Sequence, residues 1–315
     1  MARSPVPSAA PAVAAPVGRK RRSTAASLLR SLRPYQWTKN LFVFFGLIFG
    51  EQLLDATAVA RASLAFVIFC ALSSAIYLIN DLRDREADRM HPVKALRPIA
   101  SGDLAPGVAG LAAGLLGAGA LGASAWLGGG FLAVAGGYFL LMVTYSAVLK
   151  HLVILDVLTI AIGFVLRAAG GAVAIDVPIS HWLLLLTLLL ALFLGLSKRR
   201  AEIVALAEGA RNHRRILDEY SPYLLDQMIS VVTASTLLAY AFYTIHPDTV
   251  QRFGTDRLLW TVPFPLYGIF RYLYLVHQRQ GGGNPSELLL ADRPLLACVA
   301  LWGFAVIAIL YGPLR

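Results

Sequence analysis

Charge is what this 315-residue sequence has little of: 15% of its residues are Asp, Glu, Lys or Arg, against about 25% in a soluble globular domain. With 57% hydrophobic residues and a mean hydropathy of +0.66, that shortage excludes an ordinary soluble protein. Cysteine is scarcer still. Cys70 and Cys298 are the whole complement, and both fall in apolar runs, which excludes a disulfide framework or a thiolate metal site. No stretch has the alternation of a membrane barrel. The first thirty residues lack the apolar core of a secretory leader. They are rich in Ala, Pro and Ser, with a basic run from Arg19 to Arg22. Residues 1–30 are therefore expected to be a disordered tail that touches anionic headgroups.

What the chain does have is long apolar runs, at roughly 40–58, 62–80, 104–127, 131–149, 153–174, 181–197, 224–245, 257–277 and 294–313. A transmembrane helix needs about 20 such residues. Many of the runs carry glycine, which lets helices approach closely in lipid. The expected fold is an all-α integral membrane protein: a bundle of about nine transmembrane helices formed by residues 31–315. Lys and Arg orient it. Threading nine spans from an inner N-terminus puts 22 of the 28 Lys and Arg residues on the inner side and four on the outer. By the positive-inside rule the N-terminus is cytoplasmic and the C-terminus outside, in a cell's inner (plasma) membrane. The net charge of +10 is thus a one-sided field at a bilayer. No nucleic-acid module is present.

Against this background residues 80–98, NDLRDREADRMHPVKALRP, stand out: four acids and five bases in nineteen positions. They follow the second apolar run on the inner side. If the helix continues, Asp81, Asp84 and Asp88 share one face at i, i+3 and i+7, with Asn80 beside them. Carboxylates so placed repel, and a hard cation offsets the repulsion; Mg²⁺ takes carboxylate oxygens and shares its shell with phosphate and water. The competing reading is a solvated helix end whose acids pair with Arg83, Arg85 and Arg89.

A second charged stretch, SKRRAE at 197–202, follows the sixth run and sets Lys198, Arg199, Arg200 and Glu202 in a loop. Lys94 and Arg97 extend the first. Arg167 lies inside an apolar run, where an arginine is costly and marks a function facing the bundle interior. Carboxylates and a Lys/Arg cluster at one membrane face make a site for a metal-bound diphosphate and further phosphates.

NDLRDREAD resembles the N-D-x-x-D-x-x-x-D motif of the UbiA-type superfamily of intramembrane prenyltransferases. LRPYQWTKN (32–40), RPIASG (97–102), YSAVLKH (145–151), LDV (155–157) and LRAAGG (166–171) are similar to that family as well. The resemblance implies nine helices around a central cavity open to the cytoplasmic side, and Mg²⁺ at the aspartates. Members with a prenyl diphosphate donor carry a second aspartate-rich motif after helix six. SKRRAE instead looks like the K-R-Y-A-E motif of the decaprenyl-phosphate phosphoribosyltransferases, with Arg200 in the tyrosine's place. FRYLYLVH (270–277) and NPSELLLADR (284–293) are similar to the same branch.

That branch implies an Mg²⁺-dependent transfer of 5-phosphoribosyl from 5-phosphoribosyl 1-diphosphate to a polyprenyl (decaprenyl-like) phosphate, for cell-envelope polysaccharide precursors. The bases make sense there, because two anionic substrates repel in a site of reduced dielectric. Asp81, Asp84 and Asp88, with Asn80, are expected to hold the metal. Lys94, Arg97, Lys198 and Arg199 are the expected phosphate clamps, with Arg167 and Lys150 behind them. Glu202 binds metal or orients a base, and Lys39 and Asn40 close the site. Tyr145 hydrogen-bonds a phosphate or is an ordinary interfacial tyrosine. Asp156 orients a base such as Lys150 or is a plain helix-end acid. His91, His151 and His277 lack metal-ligand spacing, and QGGGNP (280–285) reads as a flexible loop. Two alternatives stay open, a prenyltransferase with an aromatic or other small acceptor and a transporter with charged gates, as does homo-oligomer formation.

Overall fold

The computed structural model describes residues 23–91, 93–207, 219–279 and 285–312; most of the expected tail and most of QGGGNP lie outside the described residues. Every regular element among the described residues is helical. Seven helices are long and apolar enough to cross a membrane: α3 (Ala56–Arg83), α6 (Pro106–Ser124), α7 (Gly129–Ala147), α8 (Leu155–Ala174), α9 (His181–Ala207), α10 (Pro222–Ile245) and α14 (Arg293–Tyr311). The shorter ones are α1 (Thr24–Leu32), α2 (Phe45–Phe49), α4 (Arg85–Arg89), α5 (Pro98–Ser101), α11 (Pro247–Phe253), α12 (Pro263–Gln278) and α13 (Pro285–Ala291).

Several sequence expectations are corrected. Residues 24–30 of the expected tail are helical: Ser23 caps α1 by accepting the Ala26 N–H, which satisfies a donor that the first turn leaves open. The first apolar run is not one long α-helix. Residues 34–44 wind as a 3₁₀ helix that passes into the five-residue α2, and α3 begins at Ala56 behind the N-cap Asp55. Arg61, which falls between the apolar runs 40–58 and 62–80, therefore sits inside α3. Its guanidinium donates to the carbonyls of Ala174 and Leu127 and to Asp176, so a long side chain reaches outward along the helix to polar partners. SKRRAE is not a loop either. It is helix, the last turns of α9, because Lys, Arg, Ala and Glu are all strong helix formers.

The two most enclosed helices, α3 and α8, stand at the centre. α3 packs on α6 and α7, while α8 packs on α7, α9 and the 3₁₀ segment; α9 continues to α10, and α12 pairs with α14. Phe69, Phe131 and Tyr138 centre one core between α3 and α7. Phe193, Leu225, Ile229 and Tyr272 centre another across α9, α10 and α12. The 3₁₀ segment reaches α8 through bare backbone. A methyl group on Gly171 would fall 1.9 Å from the Val43 carbonyl oxygen, and one on Gly46 would fall 2.7 Å from the Ala172 nitrogen.

Gly171→Ala is therefore expected to cost at least about 1–3 kcal/mol of overpacking and to lower the thermal midpoint of the detergent-solubilised protein. Gly114→Ala, whose added methyl meets nothing within 4 Å, should leave the midpoint unchanged or raise it slightly. Equal behaviour of the two variants would contradict the close crossing.

Candidate active site

One end of the bundle gathers the charges, where α3 ends, α8 begins and α9 ends. The helical path through the aspartates is nearly kept. α3 stops at Arg83 and α4 starts at Arg85, with Asp84 at the joint. Backbone bonds still run from Asp84 to the Asn80 carbonyl and from Asp88 to the Asp84 carbonyl.

The bases that take the three carboxylates come from elsewhere in the chain. Asp81 Oδ1 accepts from Arg33 Nη2 at 2.6 Å and from Arg97 Nη1 at 3.0 Å, and the same Arg97 nitrogen reaches Asp88 Oδ2 at 2.6 Å. Lys150 Nζ donates to Asp84 Oδ1 at 2.6 Å. Asp81 and Asp88 are buried. The solvated helix end expected these acids to pair with Arg83, Arg85 and Arg89; of those, Arg89 bonds Glu86. Three acids and three bases thus neutralise one another in a partly desolvated setting, where losing one partner strands a buried charge. Asn80 stands half-buried beside this group, and Lys94, in a 3₁₀ turn of the same loop, faces His91. Burial, with the Lys94 charge added, holds the His91 imidazole below its usual pKa.

Among the described residues no three acidic, His or Cys side chains gather as a protein-only metal cluster. The donor set nevertheless fits Mg²⁺. Its ligands are hard oxygens, and this ion is ordinarily held by one or two carboxylates with substrate phosphate and water completing the shell. The Arg97 nitrogen, held between Asp81 and Asp88, marks a point where positive charge is already favoured.

The second group of charges borders a cavity of about 1150 Å³. Lys39, Tyr145, Lys198 and Arg199 lie at one end, and Asp248 and Arg252 are the other charged residues of the lining. Along α9 the lining runs back through Leu194, Leu190, Leu186 and Leu183 to Trp182, sixteen residues from Lys198, or roughly 24 Å at the helical rise. Tyr243 and Trp302 line it near Trp182. Lys39 makes no ion pair among the described residues. Burial first, then the like charges of Lys198, Arg167 and Arg33, hold its ammonium down at about 7. A desolvated amine amid cations is a seat for an anion.

Other expected residues serve as support. Arg167 does not reach the cavity: it donates to Asn40 Oδ1 (2.7 Å), Tyr138 OH (2.7 Å) and the Gly163 carbonyl (3.0 Å). Asn40 is fully enclosed and also bonds Cys70 and Ser73. Glu202 takes Arg199 at 2.7 Å and Lys198 at 3.7 Å. Lys150 goes to Asp84, and the base that Asp156 holds is Arg199 at 2.8 Å. Arg200 turns away to Asp226, which His277 also contacts. Three contributors had no role assigned from sequence. Arg33 lay in a quoted motif, whereas Tyr138 and Tyr220 gave no local signal.

Comparison with known proteins agrees with this architecture. The model of the UbiA prenyltransferase family matches residues 40–291. The decaprenyl-phosphate phosphoribosyltransferase of Mycolicibacterium smegmatis is 33% identical over 303 residues, covering 92% of this chain and 94% of that one. The protein of that name from Corynebacterium glutamicum is 33% identical over 299 residues, covering 92% and 88%. A UbiA homolog from Archaeoglobus fulgidus, solved bound to GPP and Mg²⁺, has a TM-score of 0.69 at 20% identity, over 90% of this chain and 99% of the other. At that identity the likeness speaks for the fold.

The Lys39 environment predicts a measurable titration. Its amine should become reactive toward an acylating reagent with a midpoint near pH 7, about three units below an ordinary lysine, as read by mass spectrometry of the labelled protein. Occupancy of the cavity mouth by an anion should move that midpoint upward. A midpoint near 10 without ligand would contradict the geometry.

Proposed function

Because the chain belongs to the UbiA prenyltransferase family, a family of transferases, we propose that it moves 5-phosphoribosyl from 5-phosphoribosyl 1-diphosphate to a polyprenyl phosphate and releases diphosphate. The observation that carries this reading is the cavity: a long apolar bore ending in Lys39, Lys198 and Arg199. A polyprenyl phosphate has that shape and polarity, an extended apolar tail with a dianionic head. The relatives above are named decaprenyl-phosphate phosphoribosyltransferases, which supports a polyprenyl phosphate acceptor and the transfer of a phosphoribosyl group.

The aspartate group sits beside the bore rather than in its lining, which leaves it for the sugar donor. Asn80, Asp81, Asp84 and Asp88 are the oxygens that would hold Mg²⁺ with the donor's diphosphate. The ion would neutralise charge gathering on the leaving group. Arg33, Arg97 and Lys150, now spent on carboxylates, are the cations positioned to turn toward phosphate oxygens, and Lys94 adds to them. Lys39, Lys198 and Arg199 hold the lipid phosphate at the mouth of the bore, with Tyr145 as a hydroxyl donor. A phosphate oxygen of the lipid attacks C1 of the ribose. The bond from C1 to the diphosphate oxygen breaks, and diphosphate departs with the electron pair. The attacking oxygen is already ionised at neutral pH, so no strong general base is needed. Glu202 keeps Arg199 and Lys198 apart and aimed, and Arg167 with Asn40 fixes the wall beneath.

For the chain as a whole we propose nine membrane crossings, the two shorter apolar segments 40–55 and 257–277 completing the seven long helices. The charged end then faces the cytoplasm of a plasma membrane, where a soluble sugar diphosphate reaches it. The product would be a lipid-linked phosphoribose for envelope polysaccharide precursors.

Purified protein given 5-phosphoribosyl 1-diphosphate, polyprenyl phosphate and Mg²⁺ should form phosphoribosyl lipid and diphosphate. Asp84→Ala should lower the rate by on the order of 10²–10³, the scale for losing one electrostatic stabiliser of the transition state. Chelation of Mg²⁺ should stop turnover. Consumption of a prenyl diphosphate with an aromatic acceptor, and no ribosyl transfer, would overturn the proposal.

A further inference from the structure

The base at the mouth of the bore that matters for the lipid phosphate does not hold itself in place. Arg199 is almost wholly enclosed, with Nε on Asp156 Oδ2 at 2.8 Å and Nη1 on Glu202 Oε2 at 2.7 Å. Nη2 is the guanidinium nitrogen without a partner among the described residues, on a side chain that lines the cavity. Asp156 has no accessible surface. Its second oxygen, Oδ1, accepts from Tyr220 OH at 2.8 Å. The Tyr220 oxygen in turn accepts the Ile154 N–H at 2.6 Å.

Ile154 has an unusual backbone. Its φ is 68° and ψ −45°, and the Leu155 N–H bonds the Val153 carbonyl at 2.8 Å across it. That is a γ-turn of the strained hand, rare for any residue and more so for a β-branched one. Such a turn persists only where its surroundings enforce it, and it tends to sit at functional sites. Here it aims an N–H at Tyr220 and starts α8 so that Asp156 points inward. Burial pushes the Tyr220 hydroxyl up to about 12, so it stays protonated and donates to the carboxylate at any physiological pH. A fixed relay therefore runs from the turn to Tyr220, to Asp156, to Arg199.

We propose that Asp156 and Tyr220 are positioning residues for acceptor binding: they lock Arg199 so that its free edge meets the phosphate of the prenyl lipid, and they leave the sugar-donor group untouched. The inference rests on the functional reading above and deepens it, since it divides the bases into two substrate subsites. The division follows from the contacts. None of Asp156, Tyr220 or Arg199 touches Asp81, Asp84 or Asp88 or the bases that pair with them. Asp156 works through geometry alone. An amide in its place offers one acceptor where the carboxylate offers two, so either Arg199 or Tyr220 loses its bond.

The test compares Asp156→Asn and Tyr220→Phe with wild type in two assays. In turnover, Asp156→Asn should raise the KM for polyprenyl phosphate about tenfold or more and Tyr220→Phe about threefold, the scale for losing a charge-assisted bond and a neutral one. The KM for 5-phosphoribosyl 1-diphosphate should stay within about twofold in both. In binding, a fixed concentration of geranylgeranyl phosphate should raise the thermal midpoint most in wild type, less in Tyr220→Phe and least in Asp156→Asn, whereas inorganic diphosphate with Mg²⁺ should act alike on all three. Equal losses for both ligands, a rise in the donor KM, or a full response to geranylgeranyl phosphate in the variants would each overturn the assignment. The binding arm needs no turnover, so a wild-type protein that binds geranylgeranyl phosphate but makes no phosphoribosyl lipid refutes the functional reading while the positioning claim is still decided.

Discussion

A charge carried into the end of an apolar bundle has lost most of its water, and it must find a counter-charge inside the protein. That requirement organises the charged end of this molecule. Arg97 is shared between Asp81 and Asp88, Arg33 adds a second grip on Asp81, and Lys150 takes Asp84. Each base comes from a different segment: the turn after α1, the loop before α5, and the short link between α7 and α8. The pairing therefore does two things. It neutralises carboxylates that would otherwise repel, and it ties together pieces of chain that lipid offers no hydrophobic reason to assemble. Breaking any one pair strands a partner, which is far more costly than never having buried either.

The second consequence concerns the positive charge at the cavity. Carboxylates of the α3 loop are satisfied, and Asp156 and Glu202 are satisfied by Arg199. Lys39 is left without a counter-ion among the described residues, at the mouth of an apolar bore and under the fields of Lys198, Arg167 and Arg33. The site is thus built short of negative charge, which an anionic ligand, as proposed, would supply. A lipid phosphate offers the head for the mouth and the tail for the bore, which is why the geometry favours it over a neutral acceptor. In the proposed reaction, a donor diphosphate at the separate carboxylate group would also keep two highly charged substrates from sharing one set of bases.

Much of this was legible from residue order, and the failures have physical causes. The seven long helices follow from apolar length alone, and the resemblance carried by NDLRDREAD led to the right family. The first apolar run misled because composition does not distinguish a 3₁₀ stretch from an α-helix, and the close approach of Val43 to Gly171 is a tertiary fact. Arg61 and SKRRAE share one physical reason for lying in helix rather than between helices: long basic side chains reach polar partners without leaving it. Asp81, Asp84 and Asp88 were readable as a group. Their partners were not, since Arg33 and Lys150 lie 48 and 66 positions away from the acids they hold. Sequence leaves Asp156 either orienting a base such as Lys150, near in the chain, or a plain helix-end acid; the base it holds is Arg199, 43 positions away but near in space.

The proposed mechanism turns on where a prenyl phosphate sits. An experimental structure of the protein with geranylgeranyl phosphate and Mg²⁺ measures this directly. The account predicts the phosphate within hydrogen-bond reach of Lys39, Lys198 and Arg199, with the tail running along Leu194, Leu190 and Leu186 toward Trp182. A phosphate lodged among Asp81, Asp84 and Asp88, or a tail lying outside the bore against the surrounding lipid, would contradict it.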